Sequence, residues 1–218
     1  PNIRMKSSGT RKRDRRRAIQ VAAAGIVALA LVLTLDAQSR LARVERLIRS
    51  TLERPEVTTD QAIYETAFQD LQQAFEATEK ARKLDPQSAE PGALQALARA
   101  YHGALFLADD VAARKETAQA LQAVRAVAAR HPDSPFPPLS EAAILLVRGA
   151  QDEAEVVLRQ AVETFPENAA LRRANAQQAL ALGACDRARI DIEFLSALNL
   201  PSLRGDVSDL SERLQSCP

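Results

Sequence analysis

Residues 18 to 35, AIQVAAAGIVALALVLTL, carry no charge, and the apolar positions after them, Leu41, Val44, Leu47, Ile48 and Leu52, recur at helical spacing among Arg and Glu. Neither Gly nor Pro falls between Gly25 and Pro55. The pattern therefore predicts one long helix, ended by Pro55, whose second half shows an apolar stripe. Two covers suit that stripe: the protein's own first repeat, or a neighbouring helix in a short coiled coil. Further helices are expected from a capping box at Thr58 to Gln61 through to Leu84, then as a pair, Gly92 to Leu107 and Val111 to Arg130, closed by Pro132. A last helix from Val207 to Ser216 places Val207, Leu210 and Leu214 on one face. Alternating Val, Ile and Thr runs are lacking and aromatics are only 4%, so the fold class is all-α, with a core of Ala, Leu and Val.

Between these helices the sequence nearly repeats at a spacing of 34, with Gly149 recurring as Gly183, Ala150 as Ala184, Asp152 as Asp186, Ala154 as Ala188, Ala142 as Ala176 and Pro132 as Pro166. Such a period marks a helix-turn-helix unit that stacks on copies of itself. The glycines suit a left-handed helix end, and Asp152 and Asp186 are expected to cap the helix that follows. Ala142, Gly149, Ala154, Leu158, Ala161 and Pro166, then Ala176, Gly183, Ala188, Ile192 and Leu195 with Pro201 one place late, resemble the tetratricopeptide repeat (TPR) family. The resemblance implies an α-solenoid of about three hairpins plus a C-terminal capping helix, over residues 55–205 and 206–218. It also implies a partner-binding groove on the first helix of each repeat, formed by Phe136, Leu139, Ala143, Leu146 and Val147, then Ala170, Arg173, Gln177, Leu180 and Ala181. Arg173 would meet a partner's carboxylate there. Alternatively, the protein's own long helix fills this groove. From Pro86 to Pro132 the spacing is 46, so the preceding unit holds about 12 residues beyond the family length.

Charge settles how the two ends differ. Residues 1–17 contain eight basic residues and one acid, which leaves 21 basic and 27 acidic residues from Asp36 onward, a net charge of −6. An acidic domain excludes nucleic acid as the expected partner. A basic tail followed by an apolar segment of about 27 Å predicts a transmembrane helix at 18–35, with a helical extension at 36–54. By the positive-inside rule the N-terminus is cytoplasmic and the rest exported, which in a bacterium means an inner-membrane protein with a periplasmic domain. A cleaved signal peptide shares this charge plan, but Leu35-Asp36-Ala37 is a poor cleavage site, and Arg15-Arg16 only weakly resembles a twin-arginine signal. Ala24 and Ala28 form a small-xxx-small pair for packing against another membrane helix.

Both cysteines, Cys185 and Cys217, fall on the exported side. The cap helix should run back antiparallel to the last repeat helix, which predicts a disulfide stapling cap to repeat. His102 and His131 have no ligand-spaced neighbours, no Gly-rich phosphate loop is present, and Asp109-Asp110 and Asp152-Glu153 read as helix starts. The sequence therefore predicts no catalytic site, cofactor, metal or small-molecule substrate. It points to a membrane-anchored scaffold or accessory subunit binding the bilayer and other membrane-complex subunits, with a periplasmic holdase or assembly factor as the alternative.

Overall fold

The computed structural model describes residues 8–53, 61–107 and 109–217, with side chains from residue 23 onward except 49–61 and 108. Among these residues all regular structure is helical: α1 (Ser8–Glu53), α2 (Gln61–Leu84), α3 (Glu90–Phe106), α4 (Asp110–Arg130), α5 (Phe136–Val147), α6 (Gln151–Thr164), α7 (Ala169–Ala181), α8 (Cys185–Ala197), a 3₁₀ turn (Pro201–Leu203) and α9 (Arg204–Gln215). The expected stop at Pro55, the cap at Thr58 and the side chain of Leu52 lie outside the described residues.

Consecutive helices pair as α1/α2, α3/α4, α5/α6 and α7/α8, each pair stacks on the next, and α9 closes the stack against α7 and α8. Helix α1 packs on α2 and α3, so the stripe is covered by the protein itself, with Leu41, Val44 and Ile48 in the main core. That core is built on small residues: Ala74, Ala93, Ala120, Ala142 and Ala154 are fully buried at helix crossings. Ala176, Ala188, Ile192 and Leu195 form a second cluster with Leu210 of the cap, against which Val207 and Leu214 also pack.

The helix ends follow from particular residues. Gly149 (φ 79°) and Gly183 (φ 71°) take the left-handed conformation that ends α5 and α7. The Gly149 N–H donates to Leu146 O and that of Ala150 to Leu145 O, both at 2.9 Å. Gly183 and Ala184 repeat the pair on Leu180 and Ala179. This closure corrects the expected capping by aspartate. Ala150 and Ala184 are the N-caps of α6 and α8, and Asp152 and Asp186 lie inside the first turn, where their charge acts on the helix dipole. True side-chain caps occur at Asp109, accepting from the Val111 N–H, and Asn168, accepting from that of Leu171. Pro86, Pro132 and Pro166 each stand two residues past a helix. After α8 it is Asn199, not a glycine, that takes the left-handed conformation, and Pro201 begins the 3₁₀ turn.

The long hairpin also has a simple origin. Helices α3 and α4 have 17 and 21 residues against 12 and 14 in α5 and α6, and the connections keep their lengths. All of the excess is helix.

Candidate functional site

The first helices of the hairpins form one face of the solenoid. On α5, Phe136, Leu139, Ala143, Leu146 and Val147 are half-buried and pack against the main core. On α7, Leu180 packs half-buried on the second cluster, Ala170, Arg173 and Gln177 are half-buried, and Ala181 is exposed. The alanine, leucine and phenylalanine of this face thus give part of their surface to the fold and part to solvent. Helix α1 lies on α2 and α3 at the front of the stack.

Arg173 differs from expectation. Its Nη1 donates to Asp206 Oδ2 of α9 at 2.6 Å, so the carboxylate it meets belongs to the capping helix of the same chain. The cap's return along α8 was legible from the sequence, but its contact with α7 and the register of Asp206 were not.

Two other charged groups escaped the sequence. Arg172 Nη1 donates to Asp191 Oδ1 at 2.7 Å and its Nε to Pro166 O at 2.8 Å, while the guanidinium lies 4.5 Å from the centre of the Phe194 ring. Asn175 Nδ2 fills the other oxygen of Asp191 at 2.6 Å. With the Asp191 side chain 3% exposed, this network satisfies a buried charge inside the last hairpin. At the other end, Arg43 grips Asp70 through two bonds, Nε to Oδ2 at 2.8 Å and Nη2 to Oδ1 at 2.6 Å, and Arg40 adds a third at 3.1 Å. The Arg43 bonds hold the Asp70 carboxyl below the usual carboxylate range, and Arg40 adds to the effect. This pair lines a shallow cleft of 330 Å³ between α1 and α2, with Val44, Leu47, Ala62, Ile63, Thr66 and Ala67 as its other walls. Nearby, Gln38 Nε2 donates to Glu90 Oε1, and burial pushes the Glu90 carboxyl up.

The histidines take structural places. His102 lies among the rings of Phe68 and Phe106, with centroids 6.2 and 5.8 Å away, and His131 is the C-cap of α4 through its backbone N–H. No cluster of three or more His, Cys, Asp or Glu suited to a metal occurs among the described residues. Cys185 and Cys217 are joined in a disulfide with Cα atoms 6.0 Å apart, tying the end of α9 to the start of α8. Ala24 and Ala28 are exposed on α1. The same helix exposes Ile26, Val27, Leu29, Leu31, Val32 and Leu35, and its segment Ala23–Ile48 has the length and composition of a membrane-crossing helix.

These features define a class by fold: a TPR-like α-solenoid fronted by one long, partly apolar helix. Comparison with solved structures agrees. The chain is similar to a thermophilic TPR protein of Thermus thermophilus, with a TM-score of 0.55 and 19% identity over 89% of this chain and 98% of the other. At that identity the likeness concerns the fold. No family model and no curated protein matches the chain.

Proposed function

We propose that this chain is a non-catalytic, membrane-anchored scaffold or accessory subunit. Its basic N-terminus lies in the bacterial cytoplasm, α1 crosses the inner membrane from about residue 18 to 35, and the solenoid stands in the periplasm. There the α5 and α7 face, with Phe136, Leu139, Leu146 and Leu180, holds a partner segment, while Ala24 and Ala28 receive a partner's membrane helix. The observation that carries this reading is the exposed apolar side of α1, Ile26 to Leu35, continuous with a helix whose other end lies in the solenoid core. A membrane is the solvent in which such a surface is stable. The cystine, which persists in an oxidising compartment, supports the exported side.

Purification of the tagged chain in mild detergent, followed by gel filtration and mass spectrometry, tests the proposal. A fixed set of membrane subunits at constant ratio is the expected result. A monomer carrying a shifting set of unfolded exported proteins would replace it with the holdase reading, for which the half-buried apolar face of α5 would be the client surface.

A further inference from the structure

Helix α9 takes the place that the first helix of a further hairpin would occupy. As α3 and α5 lie on both helices of the hairpin before them, α9 lies on α7 and α8. The surface beneath it is therefore built to accept a helix. The hold on α9 is slight. Leu210 is its one buried residue, entering a cluster with Ala176, Ala179, Ala188, Ile192 and Leu195, while Val207 and Leu214 are half-buried. Among the described residues the only side-chain hydrogen bond from α9 to the rest of the chain is the half-exposed pair of Asp206 with Arg173. The last hairpin has a tie of its own: Arg172, Asn175 and Asp191 join α7 to α8 in a network to which α9 adds nothing.

The two ends of α9 are held differently. Residues 197–202, which lead into it, are all exposed, so this strap swings without breaking a packed core. The far end is fastened by the bond between Cys185 and Cys217. A hinge at one end and a covalent fastening at the other make a latch. Both cysteines are half-buried, within reach of an attacking thiol.

We propose that α9 is a redox-released cover over a helix-docking groove. The partner is an amphipathic helix with a carboxylate at one position and apolar residues one, four and eight places later, the pattern of Asp206, Val207, Leu210 and Leu214. This deepens the reading of the α7 face as a partner surface, and rests on it. A protein dithiol supplies the two electrons. Its thiolate attacks Cys217 Sγ, the Sγ–Sγ bond breaks, and Cys185 leaves as a thiolate in the first turn of α8, where the helix dipole favours negative charge. The second thiol of the dithiol then displaces Cys217 from the mixed disulfide. The dithiol ends as a disulfide, and its two protons pass to Cys185 and Cys217. Release of α9 frees Arg173 for the partner's carboxylate and opens the cluster to the partner's apolar side chains.

Two measurements on the full chain in mild detergent test this. Amide exchange of the unaltered chain, before and after reduction with dithiothreitol, should speed up by about a hundredfold in α9, by less in α8, and not in α3 to α6. In a Cys217→Ser chain held in glutathione buffer, a synthetic peptide of residues 204–217 should be trapped as a mixed disulfide on Cys185. The peptide with Leu210→Ser should be trapped about tenfold less, and that with Asp206→Asn about threefold less. Unchanged exchange in α9 after reduction, an equal loss in α7, α8 and α9, or equal trapping of all three peptides overturns the latch. Exchange in the unaltered chain decides the case if the Cys217→Ser chain does not fold. These failures leave the open part of the α5 face and the membrane helix as they are. The broader reading falls only if no fixed set of subunits elutes with the chain in either redox state.

Discussion

Arg172 and Asp191 lie 19 residues apart in sequence and meet at 2.7 Å inside the last hairpin, the guanidinium held against the Phe194 ring. Removing the carboxylate leaves a largely buried guanidinium and the Asn175 amide without their acceptor. Asp191→Ala should therefore lower stability by about 3 kcal/mol, as read from urea unfolding. The contrast is Arg173→Ala at the half-exposed pair with Asp206, which should cost about 0.5 kcal/mol.

The disulfide closes a loop with a separation of 32 residues. Reduction, or Cys185→Ser with Cys217→Ser, should cost roughly 3 to 4 kcal/mol by the loop-entropy account. Amide exchange should locate the loss in α8 and α9, since apart from the disulfide the cap is held by the small second cluster and the half-exposed Arg173–Asp206 pair.

Two carboxylates should give stability opposite slopes with pH. The depressed Asp70 contributes stability that is present above the ordinary aspartate value near pH 4 and lost as pH falls through its lower folded value. The stability deficit of Asp70→Asn should accordingly shrink in acid. Glu90 is raised by burial, so its contribution is present below the ordinary glutamate value and lost as pH rises through the folded one. Glu90→Gln, which keeps an acceptor for Gln38, should match the parent in acid and exceed it at neutral pH. Unfolding midpoints measured from acid to neutral pH separate the two.

At Gly149 an added Cβ meets nothing within 4 Å, so only backbone conformation opposes it. Gly149→Ala should cost about 1 to 2 kcal/mol, the energy of placing an L side chain at positive φ. Thermal unfolding of this variant checks that cost.

The helices, their breaks and the stacking alanines were legible because Gly, Pro and small residues act locally and recur with the repeat. Even the excess of the long hairpin was countable from Pro86 and Pro132, though its place inside α3 and α4 was not. Asp152 has the look of a cap in sequence, yet Schellman closure at Gly149 makes Ala150, two residues earlier, the N-cap of α6. The candidate face was legible as apolar positions. The pairing of Arg173 with Asp206, of Arg172 with Asp191 and of Arg43 with Asp70 was not, because each depends on the register between helices distant in sequence.

Helix α1 runs unbroken from Ser8 to Glu53, 46 residues and about 69 Å. Its Leu41, Val44 and Ile48 are locked into the core, so no swivel separates its N-terminal half from the stack. A turn of that half about its own axis must carry the solenoid round through the same angle. Torque applied at one end is delivered at the other, and the direction in which the α5 and α7 face looks is fixed by how the first half of α1 is held.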